Sequence, residues 1–173
     1  MKDITWKTDW RQKQFDFEIG SAAYGSLIIS SNPMSNAKFT SSATEVLFKQ
    51  NNFFSNEVVI SKDGRTIATL SYSRFFKPVI TLADGQVFSL SSPPLGGTFR
   101  WVDASNATVM AFRKTGKMLK GSISCEEKVN EEESYVLTSA GIVGYIYHTF
   151  RLSFIGSSIV LILLLSIVLS TLK

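Results

Sequence analysis

LSFIGSSIVLILLLSIVLSTL, residues 152–172, holds no charged side chain. As a helix it runs ~31 Å at ~1.5 Å per residue, enough for a hydrocarbon core of ~30 Å. A stricter start follows from Gly156, a poor helix-interior residue, and from Ser157 or Ser158, good N-caps. A helix over 158–172 is ~22 Å long, close to the height of a barrel whose strands run ~6–7 residues at ~3.3 Å each. The run is apolar on every face, so it belongs in a core or in a bilayer. Aromatic anchors flank it on one side only, at Tyr145, Tyr147 and Phe150, whereas a bilayer span usually carries them at both borders. The expectation adopted is a central helix over 158–172 inside a β-barrel. The alternative is a transmembrane anchor over 152–172.

The rest of the chain reads as strands and turns. Phe15, Phe17 and Ile19 alternate with Asp16 and Glu18, one strand with an apolar and a polar face. Residues 24–29 give another, closed by Ser31-Asn32-Pro33. Three later segments repeat one pattern: VVISKDGRTIATLSYS from Val58, VITLADGQVFSLSS from Val79 and FRWVDASNATVMAF from Phe99. Each is an apolar strand, an acidic turn and a second apolar strand. Asp63-Gly64 and Asp84-Gly85 supply the positive φ that tight hairpins need; the third copy carries Asp103-Ala104-Ser105-Asn106 instead. Such self-similarity marks one supersecondary unit used several times. After a basic turn, Ile123 and Cys125 form a strand, 126–133 reads as an acidic loop, and 135–137 and 142–150 read as the last strands.

These give roughly twelve candidate strands. About eight strands close a barrel that side chains alone can fill, whereas about twelve need a plug, such as a central helix. The expected fold is therefore mainly β: a single domain over 1–173, a closed antiparallel barrel of about twelve strands around a hydrophobic C-terminal helix.

From residue 37 onward the pattern resembles the tubby C-terminal-like superfamily, which takes in tubby domains, LURP-one-related proteins and phospholipid scramblases. The resemblance rests on 58–73, 79–92, 99–112 and 158–172, and is nearest the LURP-one-related branch. It implies a twelve-stranded barrel around a hydrophobic helix and a lipid- or membrane-facing role. It carries no functional residue onto this chain: no basic lipid-binding position of tubby aligns, and no acidic calcium segment of the scramblase type is visible.

Composition and motifs set limits of their own. One cysteine, Cys125, excludes an intrachain disulfide framework and suits a reducing compartment. The first residues, MKDITWKTDWRQKQ, contain no apolar run of the kind a secretory signal needs. The expected location is cytoplasmic and membrane-associated, with a single-pass anchor as the alternative. His148 is the sole histidine, and no spacing signature makes a catalytic pair of it with Cys125. One cysteine and one histidine cannot build a zinc cage, and the Asp-Gly pairs lack the ligand series of a calcium loop. The expectation is no enzyme, no catalytic residue, no metal and no cofactor. Asn106-Ala107-Thr108 matches a glycosylation sequon but reads as the third hairpin turn. Nucleic acid is not expected, because the aromatics fall at strand-core positions.

The candidate binding site is the basic turn, with Arg113, Lys114, Lys117, Met118, Leu119 and Lys120. A basic tip with apolar residues among its charges suits an anionic leaflet, at ~1 kcal/mol per basic residue near the surface. The expected function is a non-enzymatic barrel that binds an anionic phospholipid, a membrane surface or a protein partner. The alternative is an anchored accessory subunit of a membrane complex.

Overall fold

Asp63 and Gly64 both sit at positive φ, 51° and 75°, the combination a two-residue hairpin turn demands if its strands are to keep their right-handed twist. The same logic, with longer turns, shapes the whole chain. The computed structural model describes residues 2–9, 11, 13–30, 36–50, 55–73, 77–92, 97–115 and 120–149. The first six strands are β1 (Lys2–Thr8), β2 (Gln14–Ile19), β3 (Ala22–Ile29), β4 (Asn36–Thr40), β5 (Glu45–Gln50) and β6 (Glu57–Lys62). The next six are β7 (Arg65–Tyr72), β8 (Pro78–Leu82), β9 (Val87–Ser91), β10 (Thr98–Val102), β11 (Thr108–Thr115) and β12 (Lys120–Cys125). Each pairs antiparallel with its neighbours, and β1 pairs with β12, from Lys2↔Cys125 to Lys7↔Lys120, to close the barrel. The three repeated segments are the hairpins β6–β7, β8–β9 and β10–β11.

Period-2 alternation decides what faces inward. Ile4 and Trp6 on β1, Phe15 and Phe17 on β2, and Phe99 and Trp101 on β10 are all buried. Their sequence neighbours Thr5, Asp16 and Arg100 are not. An up-and-down barrel also fixes which connections share an end. The turns β2–β3, β4–β5, β6–β7, β8–β9 and β10–β11 lie at the first end. The connections β1–β2, β3–β4, β5–β6, β7–β8, β9–β10 and β11–β12 lie at the second.

After β12 the chain turns at the first end and forms a helix, α1, over 131–149. Asn130 starts it with a reciprocal cap: the Glu133 amide donates to Asn130 Oδ1 at 2.9 Å, and the Asn130 amide donates to Glu133 Oε2 at 3.1 Å. Every residue from 134 to 144 is buried. Contacts from opposite walls place α1 in the barrel interior. Tyr135 lies 4.9 Å from the Tyr24 ring on β3 and 5.5 Å from the Phe39 ring on β4. Six strands away round the ring, Trp101 on β10 donates its Nε1 hydrogen to the Leu137 carbonyl at 2.8 Å. Near the second end, Tyr145 stacks on Phe99 at 4.4 Å and Tyr147 lies 3.9 Å from the Tyr72 ring.

The helix carries polar groups into this interior, and the three hydroxyls of Ser134, Thr138 and Ser139 are bonded there. Ser134 Oγ shares a hydrogen bond with Tyr24 OH at 2.8 Å, and burial pushes the Tyr24 phenol well above its usual range, keeping it neutral. Ser139 donates back to the Tyr135 carbonyl at 2.6 Å, and Thr138 bonds to Met110 Sδ at 3.8 Å.

The helix differs from the sequence expectation. Residues 135–137 and 142–149, read as strands, are helical. The supposed acidic loop over 126–133 gives way to helix at residue 131. Val, Ile and Tyr favour strands when they lie on a half-buried sheet, but burial on all sides overrides that preference. The helix proposed over 158–172 lies outside the described residues. Among the described residues no helix is long and apolar enough to cross a membrane.

Gly141 shows how closely α1 fits. A Cβ there would penetrate the Phe112 ring, and Phe112 cannot retreat because it is fully buried and stacked on Phe99 at 4.5 Å. Alanine for glycine inside a helix normally gains ~1 kcal/mol. Gly141→Ala is expected to lose stability instead, because overpacking costs ~1–3 kcal/mol. Chemical denaturation checks the sign.

Candidate functional site

The basic turn of the sequence is the β11–β12 connection, at the second end of the barrel. Strand alternation divides its cations between two faces. Arg113 pairs across with Ser122, and Thr115 with Lys120; Arg113 and Lys120 are exposed on the outer wall. Lys114 falls on the inward phase, opposite Gly121. It is half-buried, its ammonium donates to Tyr145 OH, and its Nζ lies 4.8 Å from the Tyr145 ring centre. One predicted lipid-facing cation thus ties the strand to α1. Lys117, Met118 and Leu119 lie outside the described residues.

The end where α1 emerges holds a further group that sequence reading did not assemble. An open cavity of about 310 Å³ is lined by Lys77, Pro78, Leu90, Ser91, Ser92 and His148. It forms because the start of β8, the end of β9 and the last turn of α1 converge there. Gly144 permits the close approach, since a Cβ on it would press on Pro78. Lys77 and His148 are 71 residues apart in the chain, and only the topology brings them together. A second groove, about 380 Å³, lies on the outer wall over Thr5, Lys7, Asp16, Glu18, Lys120 and Ser122. Its charges are mixed, with Lys7 paired to Glu18 at 2.7 Å.

Geometry separates Cys125 from His148. Cys125 ends β12 at the first end and is buried, while His148 lies in the last turn of α1 at the second. The 19 helical residues of α1 span ~28 Å between those ends, so the two cannot act as a nucleophile and base pair. Burial pushes the Cys125 thiol up, away from the reactive thiolate. Among the described residues no group of three or more His, Cys, Asp or Glu could hold a metal ion.

The turn carboxylates act within their own loops. Asp84 accepts from the Gln86 amide at 3.0 Å and from Gln86 Nε2 at 2.7 Å. Asp103 accepts at one oxygen from the Ser105 hydroxyl at 2.6 Å, the Ser105 amide at 2.9 Å and the Ala107 amide at 3.0 Å. Asn106 at φ 66° completes that turn. The Ser105 hydroxyl, then the Ala107 amide, hold the Asp103 carboxyl below the usual aspartate value. A carboxyl depressed by folding stabilises the fold above its unfolded pKa of ~3.9, and that stability is lost as pH falls through the lower folded value. Asp103→Ala is therefore expected to flatten the acid limb of stability against pH, read by thermal melts between about pH 6 and pH 2.

Comparison with known protein families, with curated proteins and with solved structures finds no match to this chain.

Proposed function

We propose that the chain is a non-enzymatic barrel domain of the tubby-like kind that works at a membrane, held there by residues 152–172. The observation that carries this reading is the filled interior. α1, over 131–149, already occupies the centre of the barrel, with 134–144 buried throughout. An uncharged stretch of 21 residues must then find another apolar surrounding, since apolar surface in water is costly at ~25 cal/mol per Å². Its ~31 Å length as a helix matches a hydrocarbon core of ~30 Å. The last described helical residue, Thr149, lies at the second end of the barrel, so the stretch departs from that end. The twelve-stranded barrel around a helix supports the tubby-like assignment, and with it the binding of phospholipid headgroups or a protein partner by the barrel surface.

The test uses the full chain. In a detergent-free lysate it is expected in the membrane pellet, resistant to alkaline carbonate and released by detergent. Leu163→Arg with Ile167→Arg is expected to release it while the barrel keeps its cooperative melt, because a charge at a span centre costs ~2.5–3.5 kcal/mol each. A wild-type chain that stays soluble and monomeric without detergent would overturn the reading.

A further inference from the structure

The two ends of the barrel carry opposite charge. At the first end, Asp63, Asp84 and Asp103 occupy the hairpin turns, Glu126 and Glu127 follow β12, and Glu131, Glu132 and Glu133 open α1. Asp3 and Glu45 begin strands there, for ten carboxylates in all. The cations that answer them among the described residues are Lys2, Lys38, Lys62, Arg65 and Lys128, half as many. Three are already committed, Lys38 to Glu45 at 2.6 Å, Lys62 to Glu132 at 2.9 Å, and Lys128 to Glu126 at 3.2 Å and Asp103 at 3.5 Å.

The second end is the reverse. Among the described residues it carries Lys7, Arg11, Lys13, Lys49, Lys77, Arg113, Lys114 and Lys120, against Asp9, Asp16, Glu18 and Glu57, with Lys7 paired to Glu18. All of the cations but Lys114 are exposed. They come from β1–β2, β5, β7–β8 and the β11–β12 hairpin, so they surround the barrel mouth. The ends are ~28 Å apart along α1, well beyond a Debye length of ~8 Å. Each end therefore presents its own field to solvent.

We infer that the second end is the surface on which the barrel stands, end-on, against an anionic lipid leaflet. A ring of cations around an axis is complementary to a charged plane. The chain leaving this same end continues into the uncharged stretch 152–172, which the membrane reading above puts in hydrocarbon, so on that reading the cations meet the surface that the stretch enters. The acidic end points away and opposes the inverted orientation. The orientation deepens the membrane reading above and names the lipid charge it uses, but cation docking does not itself require a spanning segment.

The experiment reconstitutes the full chain into phosphatidylcholine vesicles with and without phosphatidylserine. A fluorophore is attached at Thr115→Cys, exposed at the second end, or at Ser42→Cys, exposed in the β4–β5 turn at the first. Cys125, 1% exposed, is out of reach of the reagent. A headgroup-located quencher is expected to reach the Thr115 label strongly in phosphatidylserine vesicles, weakly in phosphatidylcholine, and the Ser42 label in neither. Raising salt from about 0.1 M to about 1 M shortens the Debye length from ~10 Å to ~3 Å and is expected to remove the difference. Lys49→Gln with Lys77→Gln and Arg113→Gln is expected to lower the docking constant ~100-fold, at ~5-fold per cation.

Vesicle-held chain whose Thr115 label ignores phosphatidylserine, or whose Ser42 label responds equally, would overturn the inference while leaving the spanning segment intact. Chain lost from phosphatidylcholine vesicles but held by phosphatidylserine vesicles in a salt-sensitive way would uphold the inference and reject the spanning segment. Salt-sensitive binding to duplex or single-stranded nucleic acid, with no response to phosphatidylserine, would assign the cations to another partner and overturn it.

Discussion

Leu137→Asp is expected to leave the chain largely unfolded at neutral pH. Leu137 is fully buried, its carbonyl accepts the Trp101 indole hydrogen, and it lies midway along the segment that fills the barrel. Loss of a buried leucine costs ~2–5 kcal/mol, and an uncompensated buried charge ~3–5 kcal/mol more. Together these take up most of the ~5–15 kcal/mol of an ordinary domain. The sign of the pH dependence identifies the cause. A carboxyl buried in this core has a raised folded pKa, so its penalty grows as pH rises from ~4 through the folded value. The variant should recover stability in mild acid, where the wild type does not gain. Leu137→Met should cost under ~1.5 kcal/mol. Circular dichroism and urea titration at two pH values read both results. A variant as stable as wild type would mean that α1 is not the barrel's core.

Trp101→Ala carries the second largest effect. Trp101 is fully buried on β10, where it packs on α1 and fixes its height through the bond to Leu137. A buried Trp→Ala costs ~3–5 kcal/mol, and the lost hydrogen bond about 1 kcal/mol within it. At ~2–4 °C per kcal/mol for a chain of this size, the melting temperature should fall by roughly 10 °C or more. Trp101→Phe keeps most of the packing and loses the bond, so it should recover most but not all of that fall. Thermal melts of the two variants separate packing from registration. Equal losses would assign the whole effect to the hydrogen bond.

The barrel was legible because its rules are local. Asp63-Gly64 demands a tight hairpin, Phe15, Phe17 and Ile19 mark an inward face, and the repeat shows that one hairpin was used three times. Lys2–Thr8 was not read as a strand of its own, although Ile4 and Trp6 alternate with exposed residues, because the segment is short and mostly polar. The helix at 131–149 was missed for the opposite reason. Tyr135, Val136, Ile142 and Val143 look like strand residues, and what makes them helical is enclosure by twelve strands, most of them far away in sequence. A signal was nonetheless present. Asn130 with Glu133 is a cap pattern, and Glu131 to Glu133 place negative charge on a first helical turn, where the helix dipole favours it.

The site was legible only in part. Arg113 and Lys120 stood out as a charge run, and they do share the outer face of one hairpin. That Lys114 turns inward toward Tyr145 follows from strand phase. The larger basic surface is scattered from Arg11 to Lys120 along the chain, and nothing short of the strand order gathers it at one end. The same order collects the carboxylates at the other. Charge polarity of this kind is a property of topology, invisible to any window along the sequence.

The central claim is that α1 fills the barrel and so releases 152–172 for the membrane. Amide hydrogen exchange on the full chain in lipid tests it most directly. The account predicts that amides from 134 to 144 exchange as slowly as those of β10 and β11, opening only with the whole barrel, as one cooperative unit. Exchange in that segment orders of magnitude faster than in β10 and β11 would contradict it, and the interior of the barrel would then belong to another part of the chain.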